Sequence, residues 1–282
     1  LFRRAGAVLM RIAILLALAL GACAPAPARQ VAVERPTIVS LNPCSDAILT
    51  EVAAPGQLLA ISHYSHDPAS SSMDLDTARR FRATSGTVEG VLALKPDVVV
   101  ARTFLPPATK SALARLGVRL VELPIAMSVA DSRAQVAKLA ALAGNREKGA
   151  ALDARIVAAL EAAAPPPGPA LPAVVWQSGG IVAGDATLIA DLLRRTGFAN
   201  AAAARGLGQA DHLPLEAMIA DPPRVILASR TDGGREDRLL AHPALARLDN
   251  TRREPFDSAL LWCGGPTIER AAARLAQVRR AL

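Results

Sequence analysis

Residues 89–101 read Glu-Gly-Val-Leu-Ala-Leu-Lys-Pro-Asp-Val-Val-Val-Ala, and residues 216–228 read Glu-Ala-Met-Ile-Ala-Asp-Pro-Pro-Arg-Val-Ile-Leu-Ala. One offset of 127 residues aligns Glu89 with Glu216, Pro96 with Pro223, and Val98-Val99-Val100-Ala101 with Val225-Ile226-Leu227-Ala228. Each copy has the pattern of a short amphipathic helix, a proline that stops it and a wholly apolar strand. The spacing is too long for a solenoid unit. It predicts two similar lobes, and two similar lobes enclose a cleft.

The chain starts with a basic stretch, and Met10-Arg11 precedes the uncharged apolar run Ile12–Leu20. That run is too short for a membrane span and suits a signal-peptide core. It leads into Leu20-Gly21-Ala22-Cys23, which resembles a bacterial lipobox, in which the cysteine is lipidated. The alternative is an ordinary signal peptide with a chance cysteine. The expected organisation is a lipoprotein signal over 1–23, an Ala/Pro-rich tether over 24–35, an N-terminal α/β lobe over 36–127, a helical linker over 128–169 and a C-terminal α/β lobe over 170–282.

The formal charge of +7 includes three leader arginines, so the remainder is only weakly basic. Its charges are scattered, and no Lys/Arg stripe alternates with aromatics, which argues against nucleic acid. No later apolar run approaches a span, so membrane contact is expected through the lipid anchor alone. Of three cysteines, Cys23 is taken by the lipobox pattern, leaving Cys44 and Cys263. In an oxidising compartment these are expected to pair across the lobes, the alternative being two separate buried thiols.

Strands are expected at Thr37–Leu41, Leu58–Ser62, Val98–Arg102 and Val118–Leu123, with helices between them such as Lys110–Leu116. Ser45 is a candidate cap for a helix over Asp46–Ala53. From Ser128 to Ala164 there is neither proline nor an apolar strand run. Gly144-Asn145 marks one helix stopping and a longer one, 145–164, starting; Leu152, Ile156, Val157 and Leu160 share a face of it. Pro165-Pro166-Pro167-Gly168-Pro169 closes it. Beyond lie strands Ala173–Trp176, Val225–Ser229 and Ser258–Leu261, helix Ala186–Arg195 and a last helix from Thr267. The fold class is therefore α/β: two similar lobes with parallel sheets, joined by a long rigid helix, with a ligand cleft between them.

Several segments, in order, resemble the periplasmic binding proteins of ABC importers for cobalamin, ferric siderophores and haem, the class with a helical backbone. They are residues 35–43, 92–100, Gly144-Asn145, 187–193 and Gly197-Phe198-Ala199-Asn200. The resemblance implies a monomeric, non-enzymatic periplasmic protein with no intrinsic cofactor. Such a protein hands a bound chelate to a permease dimer with its ATPase. It also assigns permease docking to one surface glutamate per lobe, and Glu89 and Glu216 match by repeat position. First-turn glutamates are favoured for helix-dipole reasons alone, which is the plainer reading.

Aromatics make up only 3% of the chain. Tyr64, Phe104, Trp176 and Trp262 each end or follow an expected strand, where open parallel sheets bind ligands. They suit a planar apolar macrocycle or a catecholate; the alternative is that they cap the cores. A corrinoid is favoured because the site carries few charges, with a ferric siderophore next and haem or free metal as alternatives. His63 and His66 flank Tyr64, and one of them is expected to touch the chelate. No further His/Cys/Glu cluster stands nearby to complete a bare metal site. Arg102 and Arg230 follow the repeated strand and suit anionic groups on a ligand, or are simply solvated. Gln177, Gly179 and Gly180 follow Trp176, where glycines permit close backbone approach to a ligand or form a plain turn. A lipid-anchored hydrolase is disfavoured: no Gly-x-Ser-x-Gly elbow exists, and Ser62, His63 and Asp67 on one loop form no triad by proximity in sequence. A structural or adhesive surface lipoprotein lacks any specific signal.

Overall fold

The structure, a computed structural model, describes residues 35–230, 238–239 and 241–282. Cys23, the signal segment and all but the last residue of the tether lie outside the described residues.

The chain enters through β1 (Ile38–Ser40), α1 (Pro43–Val52), β2 (Leu58–Ser62), α2 (Leu75–Ala78) and β3 (Ala83–Thr84). It continues through α3 (Val88–Leu92), β4 (Val98–Arg102), α4 (Pro107–Arg115) and β5 (Arg119–Leu123). These strands form one parallel sheet in the order β3-β2-β1-β4-β5. Side chains alternate across it. Ile38, Val98 and Val100 face one core with Ile48 and Leu49 of α1, while Val39 and Val99 face another with Val91 of α3 and Leu113 of α4. Both faces are buried, which is why β4 reads as an unbroken apolar run rather than an alternating one. Helix α1 starts three residues earlier than expected: Asn42, not Ser45, is its cap, with Oδ1 accepting from Cys44 N. Pro43 opens the helix rather than breaking the chain before it, because N1 needs no donor and favours the fixed proline φ.

Two helices follow, α5 (Val129–Leu142) and α6 (Arg146–Ala162). Ser128 caps α5, and Gly144, at φ 65°, makes the turn between them. They lie close enough that a Cβ on Gly149 would come within 2.3 Å of Ala140 Cβ. Val136, Leu139 and Ala140 of α5 and Leu152 and Ile156 of α6 join one core with the inner faces of both sheets. The connection is a packed helix pair whose longer member, α6, lies within the expected 145–164.

The second half contains β6 (Leu171–Gln177), β7 (Ile181–Ala183), α7 (Leu188–Arg195), β8 (Phe198–Asn200), β9 (Gln209–His212), α8 (Leu215–Ala220), β10 (Val225–Arg230), α9 (Pro243–Ala246), β11 (Arg252–Asp257) and α10 (Thr267–Arg280). Its sheet runs β11-β10-β6-β7-β9, with β8 beside the start of β6. The strands β8, β6, β10 and β11 are parallel, while β7 and β9 add antiparallel edges. Strand Ser258–Leu261 is not found. The strand is β11, just upstream, and Ser258–Leu260 is a 3-10 turn. The charges and Pro255 that hid β11 are features that protect a sheet edge.

The repeat occupies equivalent slots. Strand β4 lies between β1 and β5, and β10 lies between β6 and β11. Val91 of α3 and Met218 of α8, again 127 apart in sequence, are the buried anchors of their helices.

Candidate functional site

In the first sheet α1 packs on one face and α4 on the other, so the chain leaves β1 and β4 in opposite directions. That divergence opens a crevice beyond the carboxyl ends of the two central strands, the topological switch point. A cavity of about 460 Å³ occurs there, lined by Leu41, Asn42, Pro43, Tyr64, Ala69, Ser70, Arg102, Trp262 and Cys263. Leu41, Asn42 and Pro43 follow β1, and Arg102 ends β4. Tyr64 comes from the turn after β2, and Trp262 and Cys263 come across from the second lobe.

Tyr64 and Trp262 are 51% and 52% exposed. Phe104, two residues beyond β4, is 74% exposed but does not line the cavity. Exposed large aromatics are the informative exception to burial, and these three all stand beyond strand ends. Tyr64 sits on the 3-10 turn His63–His66, capped by the Ser62 hydroxyl. The His63 ring lies 4.1 Å from that of Tyr64, and its Nδ1 is 3.2 Å from the Thr84 carbonyl. His66 is half-buried on the same turn and does not line the cavity.

The turn is fixed from below by Asp46 of α1. One carboxylate oxygen accepts from Ser62 N at 2.9 Å and from the Ser65 hydroxyl at 2.6 Å. Burial pushes Asp46 up to about 7, and hydrogen bonds from Ser40, Ser65 and Ser62 only partly offset that rise. Arg102 donates from Nε to Asn42 Oδ1 at 3.1 Å, and Nη2 lies 3.4 Å from Cys44 Sγ. Partial burial lowers its pKa from the ordinary guanidinium value. It thus presents one preorganised cation beside two aromatic faces.

The other sequence-derived candidates are dispersed. Trp176 is not at the cleft: its side chain is fully buried among Val174, Val182, Ile226 and Ala228. Strand β6 runs one residue past it, and period-two alternation places it on the face of Val174. Gln177 ends β6 and pairs with Ile181. Gly179 and Gly180, at φ 76° and 79°, form the hairpin turn into β7, and none of the three lines the cavity. Arg230 ends β10, but its side chain lies outside the described residues. Glu89 and Glu216 are exposed in the first turns of α3 and α8. Cys44 and Cys263 are joined as a disulfide, with Cα atoms 4.9 Å apart.

Sequence reasoning passed over Asp46, Asn42, Ala69 and Ser70 as site residues. Asn42 carries a usable signal, an Asn-Pro immediately after a strand, which marks a helix start at a strand's carboxyl end. Ala69 and Ser70 lie in an aperiodic loop and carry none. Among the described residues no group of three or more His, Cys, Asp or Glu could hold a metal ion, and no helix is long and apolar enough to cross a membrane.

Residues 38–253 match the family described as periplasmic binding protein, so the chain belongs to that family. Its members are extracytoplasmic, non-enzymatic solute-binding components of ABC importers, working with a permease and an ATPase. Solved structures with the same fold include the periplasmic heme-binding protein RhuT from Roseiflexus sp. RS-1. It is 21% identical, with a TM-score of 0.68, covering 88% of this chain and 98% of that one. The periplasmic heme-binding protein HutB of Vibrio cholerae is 19% identical, with TM-score 0.69 and coverage of 87% and 99%. The periplasmic vitamin B12 binding protein BtuF of Vibrio cholerae is 18% identical, with TM-score 0.67 and coverage of 87% and 96%. No curated protein matches the sequence. These relatives share the two-lobe architecture with a helical backbone.

Proposed function

We propose that this protein captures a metal-chelate nutrient, a corrinoid in first place, between Tyr64 and Trp262 and delivers it to an ABC importer. The observation that carries the reading is the pairing of two half-exposed aromatics, one from each lobe, across a single cavity at the β1/β4 switch point. Rigid aromatic walls bind a flat ligand at little cost in side-chain entropy. Among the described residues the lining holds one cation, Arg102, and no carboxylate, with Asn42 and Ser70 as neutral polar partners. That composition suits a bulky chelate whose metal is already coordinated and whose periphery is mostly amide. A ferric siderophore fits the same walls, with Arg102 meeting its negative charge.

Haem is the second reading, favoured by one particular feature. The exposed Tyr64 phenol, beside the His63 ring, is a donor of the kind a ferric porphyrin needs. Three relatives named above are described as binding haem or vitamin B12, and their low identity does not choose between these ligands.

The proposal extends to the ends of the delivery path. Cys23 carries a lipid that anchors the protein, and it works as a monomer. Glu89 and Glu216 meet basic pockets on the permease pair. Support for docking is positional: both are exposed at the same place in the repeated helix. Complementary charge would steer encounter and set register.

Titration with cyanocobalamin, haemin and a ferric catecholate tests the ligand. Saturable quenching of tryptophan emission by cyanocobalamin, without a Soret shift for haemin, is the expected result. A Soret shift that disappears in Tyr64→Phe would establish the haem reading instead. No binding of any of the three would overturn the proposal.

A further inference from the structure

Trp262 comes from the second lobe but works, on the reading above, against residues of the first. Nothing in its own exposure holds it there, since half of its surface is free. What fixes it is the segment that follows. Cys263 is bonded to Cys44 at the start of α1. Gly264 lies so close to α5 that a Cβ would fall 2.1 Å from Ser132 Oγ. Gly265 N donates to the same Ser132 Oγ at 2.7 Å, and a Cβ there would fall 2.5 Å from Ile48 Cγ1 of α1. Gly265 also sits at φ 61°, where a side chain would be strained. The chain from Trp262 to Gly265 is thus pressed onto α5 and onto α1 of the first lobe, and covalently tied to α1.

The disulfide also forms part of the site. Cys263 lines the cavity. Cys44 N donates to Asn42 Oδ1, the atom that also receives Arg102 Nε. Arg102 Nη2 lies 3.4 Å from Cys44 Sγ, a weak acceptor. One bond therefore neighbours both the aromatic wall and the Arg102 cation of the lining.

We propose that the Cys44–Cys263 disulfide is a ligand-positioning element, holding Trp262 over the cavity and Arg102 at its edge, and not only a staple of the fold. This rests on the cavity being the ligand site. A staple alone would be expected anywhere the two lobes touch; this one sits beside the proposed ligand. The two residues also adjoin the ends of the interacting loops, so a small shift of the segment changes the gap between Tyr64 and Trp262 directly. Positioning errors of this kind weaken binding without unfolding the protein.

The test is a double-mutant cycle between the disulfide and Trp262, read as affinity for whichever of cyanocobalamin, haemin and the ferric catecholate the wild type binds. Cys44→Ala with Cys263→Ala is expected to weaken binding about tenfold or more in the wild-type background, and markedly less in Trp262→Ala, where only the positioning of Arg102 is left to lose. A purely structural bond would weaken both backgrounds equally, or neither, and either result overturns the proposal. Should the double alanine variant fail to fold, the folded wild type and Trp262→Ala proteins are reduced with dithiothreitol, alkylated, confirmed by mass and titrated in the same cycle. Normal binding by Trp262→Ala would remove the site reading itself. Weak binding by Trp262→Ala with no effect of disulfide loss would remove only this inference. No binding of cyanocobalamin, haemin or the ferric catecholate by the wild type would remove both.

Discussion

At the scale of single residues, the chain separates aromatics that pack from aromatics that wait for a partner. Trp176 and Trp262 are its only tryptophans, and they lie at opposite extremes of burial. Trp262→Ala or Tyr64→Ala should weaken ligand binding by about 2 kcal/mol or more with little change in melting temperature, the pattern of an exposed hot spot. Trp176→Ala should lower stability by about 3–5 kcal/mol through the cavity it leaves in the core. Calorimetry and titration on the three variants check this split. Asp46 supplies a separate pH dependence. Its carboxyl is raised from 3.8 to about 7 in the folded state. The unfolded chain therefore releases this proton near 4 while the folded protein keeps it, so the contribution to stability is fully present below 4 and declines as pH rises to about 7. By linkage the total decline is about 4 kcal/mol. Asp46→Asn should abolish this component of the pH dependence, being more stable than wild type at pH 8 relative to their difference at pH 4. Chemical denaturation at the two pH values measures it; a pH dependence unchanged by the substitution would contradict the assignment.

At the scale of elements, most of the positions that organise the cleft are legible in the sequence, and the exceptions have physical causes. Strands β2 and β4 are read to their observed ends because apolar runs are bounded by clear turn residues, and α10 starts at the expected Thr267. The helix pair α5 and α6 follows from Gly144 and the absence of proline. What the sequence does not announce is pairing. Strand β6 extends through Gln177 because β7 folds back on it, so Trp176 lies within the strand rather than beyond it. Strand β11 pairs along its full length with β10, although Arg252-Arg253-Glu254-Pro255 has no strand-like alternation. The lining of the cavity is similarly split. Tyr64 and Arg102 are accessible through strand-end reasoning, Trp262 only by way of an expected strand, Ser258–Leu261, that is a 3-10 turn after β11, and Ala69 and Ser70 come from a loop without periodicity. The close crossing of α5 and α6 gives a prediction at this scale. Gly149→Val should destabilise the protein by about 1–3 kcal/mol, because a Cβ there meets Ala140. Thermal unfolding should show the loss, and ligand affinity of the protein that remains folded should be unchanged.

At the scale of the whole molecule, the two lobes are tied at several independent points. The inner faces of both sheets share one core with α1, α5, α6, α7 and α10. Arg155 of α6 pairs with Glu51 of α1 and Glu269 of α10, at 3.2 and 3.3 Å. Thr267 Oγ1 donates to the Ser72 carbonyl at 3.2 Å. With the disulfide, these contacts favour small adjustments of the cleft over wide hinge closure. The proposed permease contacts, Glu89 and Glu216, stand exposed on helices α3 and α8, one in each lobe. Glu89→Lys with Glu216→Lys should therefore abolish uptake in cells while leaving chelate affinity intact. Normal uptake by the double variant would remove the docking role.

The proposed chelate site is the cavity at the carboxyl ends of β1 and β4. A crystal structure of the protein with cyanocobalamin tests it most directly. The corrin is expected in van der Waals contact with both Tyr64 and Trp262, with Arg102 at its edge and the Cys44–Cys263 bond intact beside it. A chelate bound on any other surface, with Tyr64 and Trp262 free of it, would contradict the account.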